Sequence, residues 1–236
     1  MFPSMMPCDN LIPVFHHVAQ SIEDDGFAIV PRCLSEQMVE QLCSDLGVNK
    51  HAQRNLLDIP IVRELAVSEP VKQLVAACLG KECFAVRGIL FNKTPDSNWK
   101  VAWHQDRTIA VRERKDVADF GPWSVKEGVP SVQPPASVMA RMLAIRLQLD
   151  ESHEDNGPLR VIPGSHNAGC LSADELATWK EQQNVICTVP RGGAILMRPL
   201  LVHASSSCVK PESRRVIHLE FAAENLPGGL EWHDRV

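Results

Sequence analysis

The segment Met139–Leu149 reads MARMLAIRLQL, and its second half alternates between apolar and polar side chains. Side chains on a β-strand alternate between its two faces, so Arg146 and Gln148 share one face and Ile145, Leu147 and Leu149 share the other. This alternation predicts a strand with one polar face. In a barrel wall covered by helices on its outer side, the polar face would line a pocket; in the other orientation, both side chains would lie in solvent.

Similar short runs of apolar or alternating residues occupy most of the chain after Cys83, with turn-forming residues between them. The predicted strands are Cys83–Phe91, Trp99–His104, Met139–Leu149, Leu159–Ile162, Val185–Val189, Ala194–Met197 and Arg215–Phe221. The turns between them include Thr94–Asp96, Asp155–Pro158, Pro163-Gly164 and Arg191–Gly193. Many short strands with tight turns are typical of an antiparallel sandwich or barrel, and not of a parallel doubly wound sheet.

The first part of the chain, residues 1–82, has a largely helical pattern with one predicted strand at Gly26–Val30. Two helices are predicted there, with Ser35–Gly47 and Ser68–Gly80 as the ranges between their capping residues. A further helix, Ser172–Gln183, begins with the sequence of a capping box and interrupts the strands.

Length and composition indicate one globular domain over residues 1–236. The formal net charge of −5 without a Lys/Arg stripe argues against a nucleic-acid partner, and no apolar run is long enough to span a bilayer. Met1–Asn10 lacks the pattern of a secretory signal. The eight cysteines are scattered without a CxxC pair, which indicates reduced thiols in a cytoplasmic protein. We therefore expect a small-molecule partner; the sequence leaves the oligomeric state open.

The segment 107–137 differs from the strand-rich region around it. It begins with charged residues and then contains several glycines and prolines, including Gly121-Pro122-Trp123 and Pro134-Pro135. Long irregular excursions inside a compact domain are usually functional or mobile. Two interpretations follow, a lid over a pocket and a disordered insert.

The segment Trp99–Asp106 reads WKVAWHQD and contains the most informative motif in the chain. His104 and Asp106 are two residues apart on a predicted strand, so both side chains lie on one face. Two ligands from one strand and a distant histidine form the 2-His-1-carboxylate triad, which binds Fe(II) on one face and leaves the other positions open.

Similar patterns occur twice more, so the motif alone is not decisive. His153-x-Asp155 lies in a turn-rich run, where neighbouring side chains have no fixed common face. His218-x-Glu220 lies on a predicted strand, but the next histidine is His233, which makes a third ligand difficult to supply. A strand histidine beside the core is the simpler interpretation of His218.

Two histidines compete for the third position of the triad. His203 follows the apolar run Ala194–Met197 and lies near the end of a predicted strand. His166 follows the turn Pro163-Gly164, so an exposed loop is its expected position. The strand context favours His203.

Four sequence blocks occur in a fixed order and together resemble the phytanoyl-CoA dioxygenase superfamily, which also includes ectoine hydroxylases. They are WHQD at 103–106, DNGPLRVIPGSH at 155–166, PRGGA at 190–194, and His203 followed by RRVIHLEF at 214–221. The resemblance covers residues 85–222. It implies a mainly β fold with flanking helices, in which a double-stranded β-helix (a cupin-like jelly roll) occupies 83–223 and residues 1–82 support it.

The resemblance also implies roles for individual residues. His104, Asp106 and His203 match the iron ligands of the family. Arg214, eleven positions after His203, matches the arginine that pairs with the distal carboxylate of 2-oxoglutarate, and the planar guanidinium suits that task. Arg215 would point to the opposite face of a regular strand, where a salt bridge is the simpler interpretation.

Five further residues are candidate contacts in the site. Ser205 resembles a hydroxyl that helps to hold the same carboxylate, and Asn92 resembles a polar residue that contacts the co-substrate from an earlier strand. Arg146, Gln148 and Trp123 are the candidate substrate contacts, although the tryptophan fits core packing equally well. The chain contains no tyrosine, so any tyrosine contact made in relatives is absent or replaced.

The resemblance implies a dioxygenase that uses Fe(II), 2-oxoglutarate and O₂ to hydroxylate an unactivated C–H bond, with release of succinate and CO₂. Asp106 fits hydroxylation, because halogenating relatives lack this carboxylate. The family acts on acyl-CoA thioesters, amino-acid derivatives and secondary metabolites. Because no basic patch for CoA phosphates is evident, we expect a small or medium-sized metabolite. The alternative is a cupin-like metal-binding protein that is non-catalytic or differently reactive.

Overall fold

The computed structural model describes residues 12–47, 52–94, 98–209 and 214–236. Two sequence predictions lie outside this part of the chain, the absence of a secretory signal in Met1–Asn10 and most of the turn at Thr94–Asp96. Within the described ranges, no helix is both long and apolar enough to cross a membrane.

Helices dominate the first part of the described chain and strands the remainder. The α-helices are α1 (Ile12–Asp24), α2 (Glu36–Leu46), α3 (Pro60–Ala66), α4 (Glu69–Leu79), α5 (Ala136–Met139) and α6 (Ala173–Trp179). Short 3-10 helices lie at Leu56–Asp58, Glu154–Asn156 and Ser165–Ala168. The strands are β1 (Phe27–Val30), β2 (Ala52–Gln53), β3 (Phe84–Lys93), β4 (Val101–His104), β5 (Ile109–Ala110), β6 (Trp123–Lys126), β7 (Val129–Val132), β8 (Met142–Gln148), β9 (Leu159–Val161), β10 (Val185–Cys187), β11 (Ala194–Met197), β12 (His203–Ser205) and β13 (Arg214–Ala222).

Two antiparallel sheets face each other. The larger sheet has the strand order β1-β11-β8-β13-β3-β2, and the smaller sheet has the order β10-β9-β12-β4. One apolar cluster contains Ala144 and Ile195 of the larger sheet together with Val161 and Cys187 of the smaller. Two facing antiparallel sheets that share a core are the architecture of a jelly roll.

The other face of the larger sheet packs against the helices. Leu143, Ile145 and Leu147 of β8 are fully buried and belong to the same apolar cluster as Val39 of α2 and Leu74 of α4. Because side chains alternate along a strand, the polar side chains of β8 point the other way, toward the smaller sheet. The packing of the helices therefore turns the polar face of β8 inward.

The larger sheet also includes strands from the first 82 residues. β1 pairs with β11 from Phe27↔Met197 to Val30↔Ala194, and it covers the edge that β11 would otherwise expose. The predicted boundary at residue 82, between supporting helices and jelly-roll core, therefore does not separate the two, because β1 and β2 come before it and belong to the larger sheet.

Local signals predicted the starts of three helices correctly; Ser68, for example, is the N-cap residue directly before α4. The Ser35 hydroxyl accepts a hydrogen bond from the N–H of Met38 at 3.2 Å, which caps α2. Ser172 and Glu175 form the predicted capping box at the start of α6. α6 ends at Trp179, however, and not at the predicted Gln183.

The strand predicted at Met139–Leu149 begins later, at Met142. The residues after Pro135 form α5, which ends at Met139 and places a helical turn before the strand. Proline disfavours strand pairing and is tolerated at the start of a helix, which accounts for the shift.

Segment 107–137 is not the irregular excursion that the sequence predicted. β5, β7 and β6 form a three-stranded antiparallel sheet within it. β6 and β7 are joined by the two-residue turn Glu127-Gly128, with φ angles of 48° and 83°. Positive φ at both turn residues is typical of a type I′ hairpin, and glycine adopts such an angle without strain.

Candidate metal centre

Neighbouring strands bring together the two histidines of the predicted triad. On the smaller sheet, His203 of β12 lies directly opposite His104 of β4, and their ring centroids are 4.2 Å apart. Asp106 follows the end of β4, and its carboxylate oxygens lie 3.8 Å from His104 Nε2 and 3.6 Å from His203 Nε2. One ligand atom from each residue lies within 4.8 Å of the other two.

Backbone carbonyls orient both imidazoles. His104 Nδ1 is 2.8 Å from the carbonyl oxygen of Ala102, and His203 Nδ1 is 2.8 Å from that of Leu201. A carbonyl oxygen can only accept, so each Nδ1 carries a hydrogen; in the neutral form of either imidazole, Nε2 then has the lone pair that a metal ion needs. A metal-binding imidazole is commonly oriented by such a bond from its other nitrogen.

Gln105 lies between His104 and Asp106 in the chain, and its side chain points away from theirs. Its buried side chain donates from Nε2 to the carbonyls of Gly169 and Leu200, both at 2.7 Å, and accepts the N–H of Leu171 at 2.9 Å. Adjacent side chains of an extended chain point to opposite sides. Anchoring Gln105 therefore turns the side chains before and after it toward the same space.

The protonation states suit a cation. Burial lowers the pKa of His203 to about 4, so its imidazole is neutral at neutral pH. Burial raises the pKa of Asp106, but the electrostatic attraction between its carboxylate and the neighbouring imidazoles, His203 first, and Arg87 outweighs this effect and holds that pKa well below its usual range. A neutral imidazole and an ionised carboxylate are the forms that bind a metal ion, so the donor set fits a divalent metal.

A cavity of about 250 Å³ opens beside the three donors, between the two sheets. Alternate residues of β3 and β13 form one wall of it, because residues paired across neighbouring strands share a face. Lys93 lies opposite Arg214, and Arg87 lies opposite Glu220. The wall thus carries charged side chains near both ends and the apolar Phe91 between them.

One end of this wall is cationic. Arg214 is buried, and its Nε makes no hydrogen bond among the described residues. Lys93 Nζ donates to the Ser205 hydroxyl at 3.2 Å and to the carbonyl of Ser206. Burial and the charge of Arg214 lower the pKa of Lys93 to about 8, and burial lowers the pKa of Arg214 to about 10. An anion bound here would compensate these desolvated charges.

Arg215 points away from the cavity and pairs with Asp150 through Nε at 2.9 Å and Nη2 at 2.8 Å. Asn92 lies opposite Arg215 in the strand register and so shares its face. The structure therefore differs from the sequence prediction for Asn92. Because side chains alternate along β3, the polar residue that reaches the cavity is its neighbour, Lys93.

The three predicted substrate contacts lie in different places. Arg146 lines the cavity, and its Nη1 is 3.2 Å from His218 Nδ1. Gln148 shares this face of β8 but is buried outside the cavity lining. Trp123 packs against an apolar cluster, because the opposite face of β6, with Lys126, is turned to the cavity. The prediction that Trp123 contacts substrate is therefore not supported by its position.

The competing motifs have other partners. His218 Nε2 is 3.2 Å from a Glu220 oxygen that also accepts from Arg87, so this motif forms a buried hydrogen-bonded network in the cavity wall. His153 precedes a 3-10 helix, and His166 Nε2 lies 3.2 Å from a backbone carbonyl near the end of α1. None of the three joins the cluster of possible metal ligands found among the described residues.

Sequence reasoning missed four residues that build the site. Arg87 and Lys93 could have been recognised, because they share one face of the otherwise apolar strand Phe84–Lys93. Gln105 gave only a weak signal, a polar residue between two candidate ligands. No sequence signal pointed to Lys126, because its position at the cavity depends on how the β6–β7 hairpin packs against the rest of the protein.

The structure defines the class of protein as a jelly roll with a His-Asp-His cluster that could hold a metal ion. Within that class, the chain belongs to the phytanoyl-CoA dioxygenase (PhyH) family, whose model matches residues 45–216. The family resemblance recognised in the sequence is thereby confirmed.

Individual relatives share the fold at low sequence identity. The chain is 29% identical over 161 residues to the ectoine dioxygenase of Bordetella bronchiseptica, covering 62% of this chain and 48% of that protein. It spans about half the length of the ectoine dioxygenases that it matches. Among solved structures it is similar to the non-heme alpha ketoglutarate dependent carbocyclase SnoK from nogalamycin biosynthesis, with a TM-score of 0.72, 15% identity, and coverage of 94% of this chain and 88% of that one.

A second solved structure is the epimerase SnoN, determined in complex with Fe3+, alpha ketoglutarate and nogalamycin RO. It gives a TM-score of 0.68 at 16% identity, with 92% of this chain and 91% of that chain covered. At such identities the similarity shows the fold alone, and it confirms the predicted jelly-roll core.

We predict that Gln105→Ala lowers the free energy of unfolding by about 1–3 kcal/mol, because two carbonyls and one N–H lose their partner in the interior. Urea denaturation followed by circular dichroism measures this change. The exposed Gln183→Ala is the matched control, with an expected change below about 0.5 kcal/mol. Equal stability of the two variants would contradict the anchoring role of Gln105.

Proposed function

We propose that the protein is an Fe(II)- and 2-oxoglutarate-dependent dioxygenase that hydroxylates an unactivated C–H bond of a small or medium-sized metabolite. The observation that carries the proposal is the convergence of His104, Asp106 and His203 beside a cavity with a cationic end. When bound, the iron, 2-oxoglutarate and O₂ supply the oxidation, in which 2-oxoglutarate becomes succinate and CO₂ and one oxygen atom enters the substrate. Asp106 supports hydroxylation over halogenation, because it takes the position that a halide would need.

In this proposal His104, Asp106 and His203 hold the iron from one side. The protein's contribution is to keep these donors fixed before the metal arrives. The backbone carbonyls hold each imidazole in one tautomer, and Gln105 holds the chain between the first two ligands. Prior orientation of this kind raises metal affinity, because little order must be gained on binding.

The distal carboxylate of 2-oxoglutarate fits the cationic end of the cavity. The planar fork of Arg214 can bind both carboxylate oxygens, and its Nε has no other hydrogen-bond partner among the described residues. The Ser205 hydroxyl and the Lys93 ammonium line the same end and add further donors. SnoN, a solved structure of similar fold, was determined in complex with alpha ketoglutarate, which supports 2-oxoglutarate as the co-substrate.

The size of the cavity supports a small substrate. Sites for drug-sized ligands usually enclose roughly 300–1,000 Å³. This cavity is about 250 Å³, and it must also hold the co-substrate. A small metabolite fits this space better than a long acyl thioester.

We predict that His104→Ala abolishes stoichiometric Fe(II) binding and succinate formation while the fold is kept, because one of three ligands is lost. Anaerobic Fe(II) titration and circular dichroism measure the two properties. His153→Ala is the matched control, since His153 also belongs to a His-x-Asp motif but lies outside the cluster. Unchanged iron affinity in His104→Ala would overturn the assignment of the metal centre.

We predict that Arg214→Lys raises the KM for 2-oxoglutarate roughly ten- to hundredfold, because a bidentate pair is replaced by a point charge. The neighbouring Arg215→Lys, whose side chain pairs with Asp150, is the control and should leave this KM nearly unchanged. Succinate formation at varied 2-oxoglutarate measures both values. An equal effect of the two substitutions would rule out a specific role for Arg214.

Segment 107–137 is proposed to act as a lid that limits the access of water to the reaction. Lys126 and Thr108 of this segment line the cavity, which supports the assignment. We predict that Fe(II) with 2-oxoglutarate slows tryptic cleavage after Arg112, Arg114 and Lys126, because closure restricts the backbone that trypsin must bind. Mass spectrometry of the fragments measures the rates. Equal cleavage with and without these ligands would exclude the lid.

A further inference from the structure

A second group of cations lies at the other end of the cavity from Arg214. Arg87 of β3, Arg54 directly after β2, and Lys126 at the end of β6 all line this part of the cavity wall. Arg54 is held there because β2 pairs with the edge of β3, with Ala52 opposite Phe91. Three separate segments of the chain thus contribute positive charge to one place.

The charge of the cavity is unbalanced. Six cationic side chains and two carboxylates line it among the described residues; the cations are Arg54, Arg87, Lys93, Lys126, Arg146 and Arg214, and the carboxylates are Asp106 and Glu220. A divalent metal and the dianion 2-oxoglutarate would cancel each other. The excess of positive charge therefore remains after both have bound.

The existing partners leave much of the second group uncompensated. Arg87 pairs with Glu220, but its Nε is buried and makes no hydrogen bond among the described residues. Lys126 Nζ donates to the neutral hydroxyl of Thr108 at 2.7 Å. Arg54 Nε is 3.7 Å from Glu127, a half-exposed contact that contributes little in water.

The surroundings of Lys126 bear out this imbalance. Burial and the charges of Arg87 and Arg54 lower its pKa. A lowered pKa means that the environment of the amine disfavours its charged form. An anion bound between Lys126 and Arg54 would reverse this effect and would gain charge-assisted hydrogen bonds.

We infer that the substrate carries an anionic group, a carboxylate or a phosphate ester, which Lys126 and Arg54 bind at the end of the cavity opposite the 2-oxoglutarate site. This inference rests on the proposed function, since it describes the substrate of that reaction. Arg87 is paired with Glu220, and its Nε–H remains available to donate to the same anion.

The position of this group limits where oxidation occurs. Thr108, the hydrogen-bond partner of Lys126, is two residues after Asp106, which spans at most about 7 Å of extended chain. The hydrogen bond to Thr108 therefore keeps Lys126 on the part of the cavity wall next to Asp106. We expect the oxidised carbon to be nearer to the anionic group than to the far end of a long chain, because the anion site and the metal centre lie in the same cavity.

Binding of anion probes to the assembled enzyme tests the inference. The protein is loaded anaerobically with Fe(II) and saturating 2-oxoglutarate, so that the Arg214 end is occupied, and is titrated with sodium sulfate or sodium acetate in a calorimeter. Sulfate is a tetrahedral dianion like a phosphate ester, and acetate represents a carboxylate. We expect at least one probe to bind, and Lys126→Gln and Arg54→Gln each to weaken it by roughly tenfold. The tighter probe identifies the class of anion.

Lys115→Gln is the matched control, because Lys115 lies in the same segment but contacts Glu113 and the carbonyl of Gly229. Unchanged affinity for 2-oxoglutarate in the variants shows that they remain folded. Equal probe affinity in wild type, Lys126→Gln and Arg54→Gln overturns the inference, as does the absence of binding to wild type. If wild type bound neither Fe(II) nor 2-oxoglutarate, the proposed function would fail, while the dependence of anion binding on Lys126 would still be measurable in the metal-free protein.

Discussion

The three hydrogen bonds of Gln105 connect the end of β4 to the loops before α6 and β12. They act where β4 ends; beyond this strand, Asp106 itself is held by a backbone hydrogen bond from its N–H to the carbonyl oxygen of Pro199 at 2.9 Å. With Gln105 anchored in the interior, Asp106 is directed to the same side as His104 and meets His203 from the neighbouring strand. The geometry of the candidate metal centre thus depends on a neutral side chain that points away from it.

A second constraint is electrostatic and comes from the pairing of β3 with β13. Arg87 lies opposite Glu220, and each neutralises the other in the interior. Lys93 lies opposite Arg214, and there burial and like charge lower the pKa of the lysine. Buried charge without a partner is unfavourable, so this end of the sheet is less stable without an anion than with one. The register of β3 with β13 thus places opposite charges together at the Arg87 end of the wall and like charges together at the Arg214 end, where an anion can bind.

The sequence predicted the parts of the site that follow from local spacing. His104 and Asp106 are close together in the chain, and the apolar run before His203 indicated a strand end. Alternation also predicted that only one of Arg214 and Arg215 could face a pocket. Which of them does so depends on the register with β3, a strand more than a hundred residues away in the chain. A shift of one residue exchanges the two faces of a strand.

The same dependence on register explains the difference at Asn92, where the neighbouring Lys93 is the residue that reaches the cavity. The contacts of the β6–β7 hairpin could not be predicted from the local sequence. Trp123 and Lys126 lie on one short strand, and only the way the hairpin folds back decides which of them meets the cavity.

By itself, the sequence determined that the chain is rich in strands and that it resembles the phytanoyl-CoA dioxygenases. It also predicted which residues form the metal centre. These features depend on residue types and short spacings, which are visible in the sequence. Only the tertiary structure decided which face of each strand is turned inward. Helices cover one face of the larger sheet, and the other face, with Arg146 and Arg214, is left to form the cavity. The physical reason is that alternation is a property of a single strand, whereas its orientation is set by packing and register with distant parts of the chain.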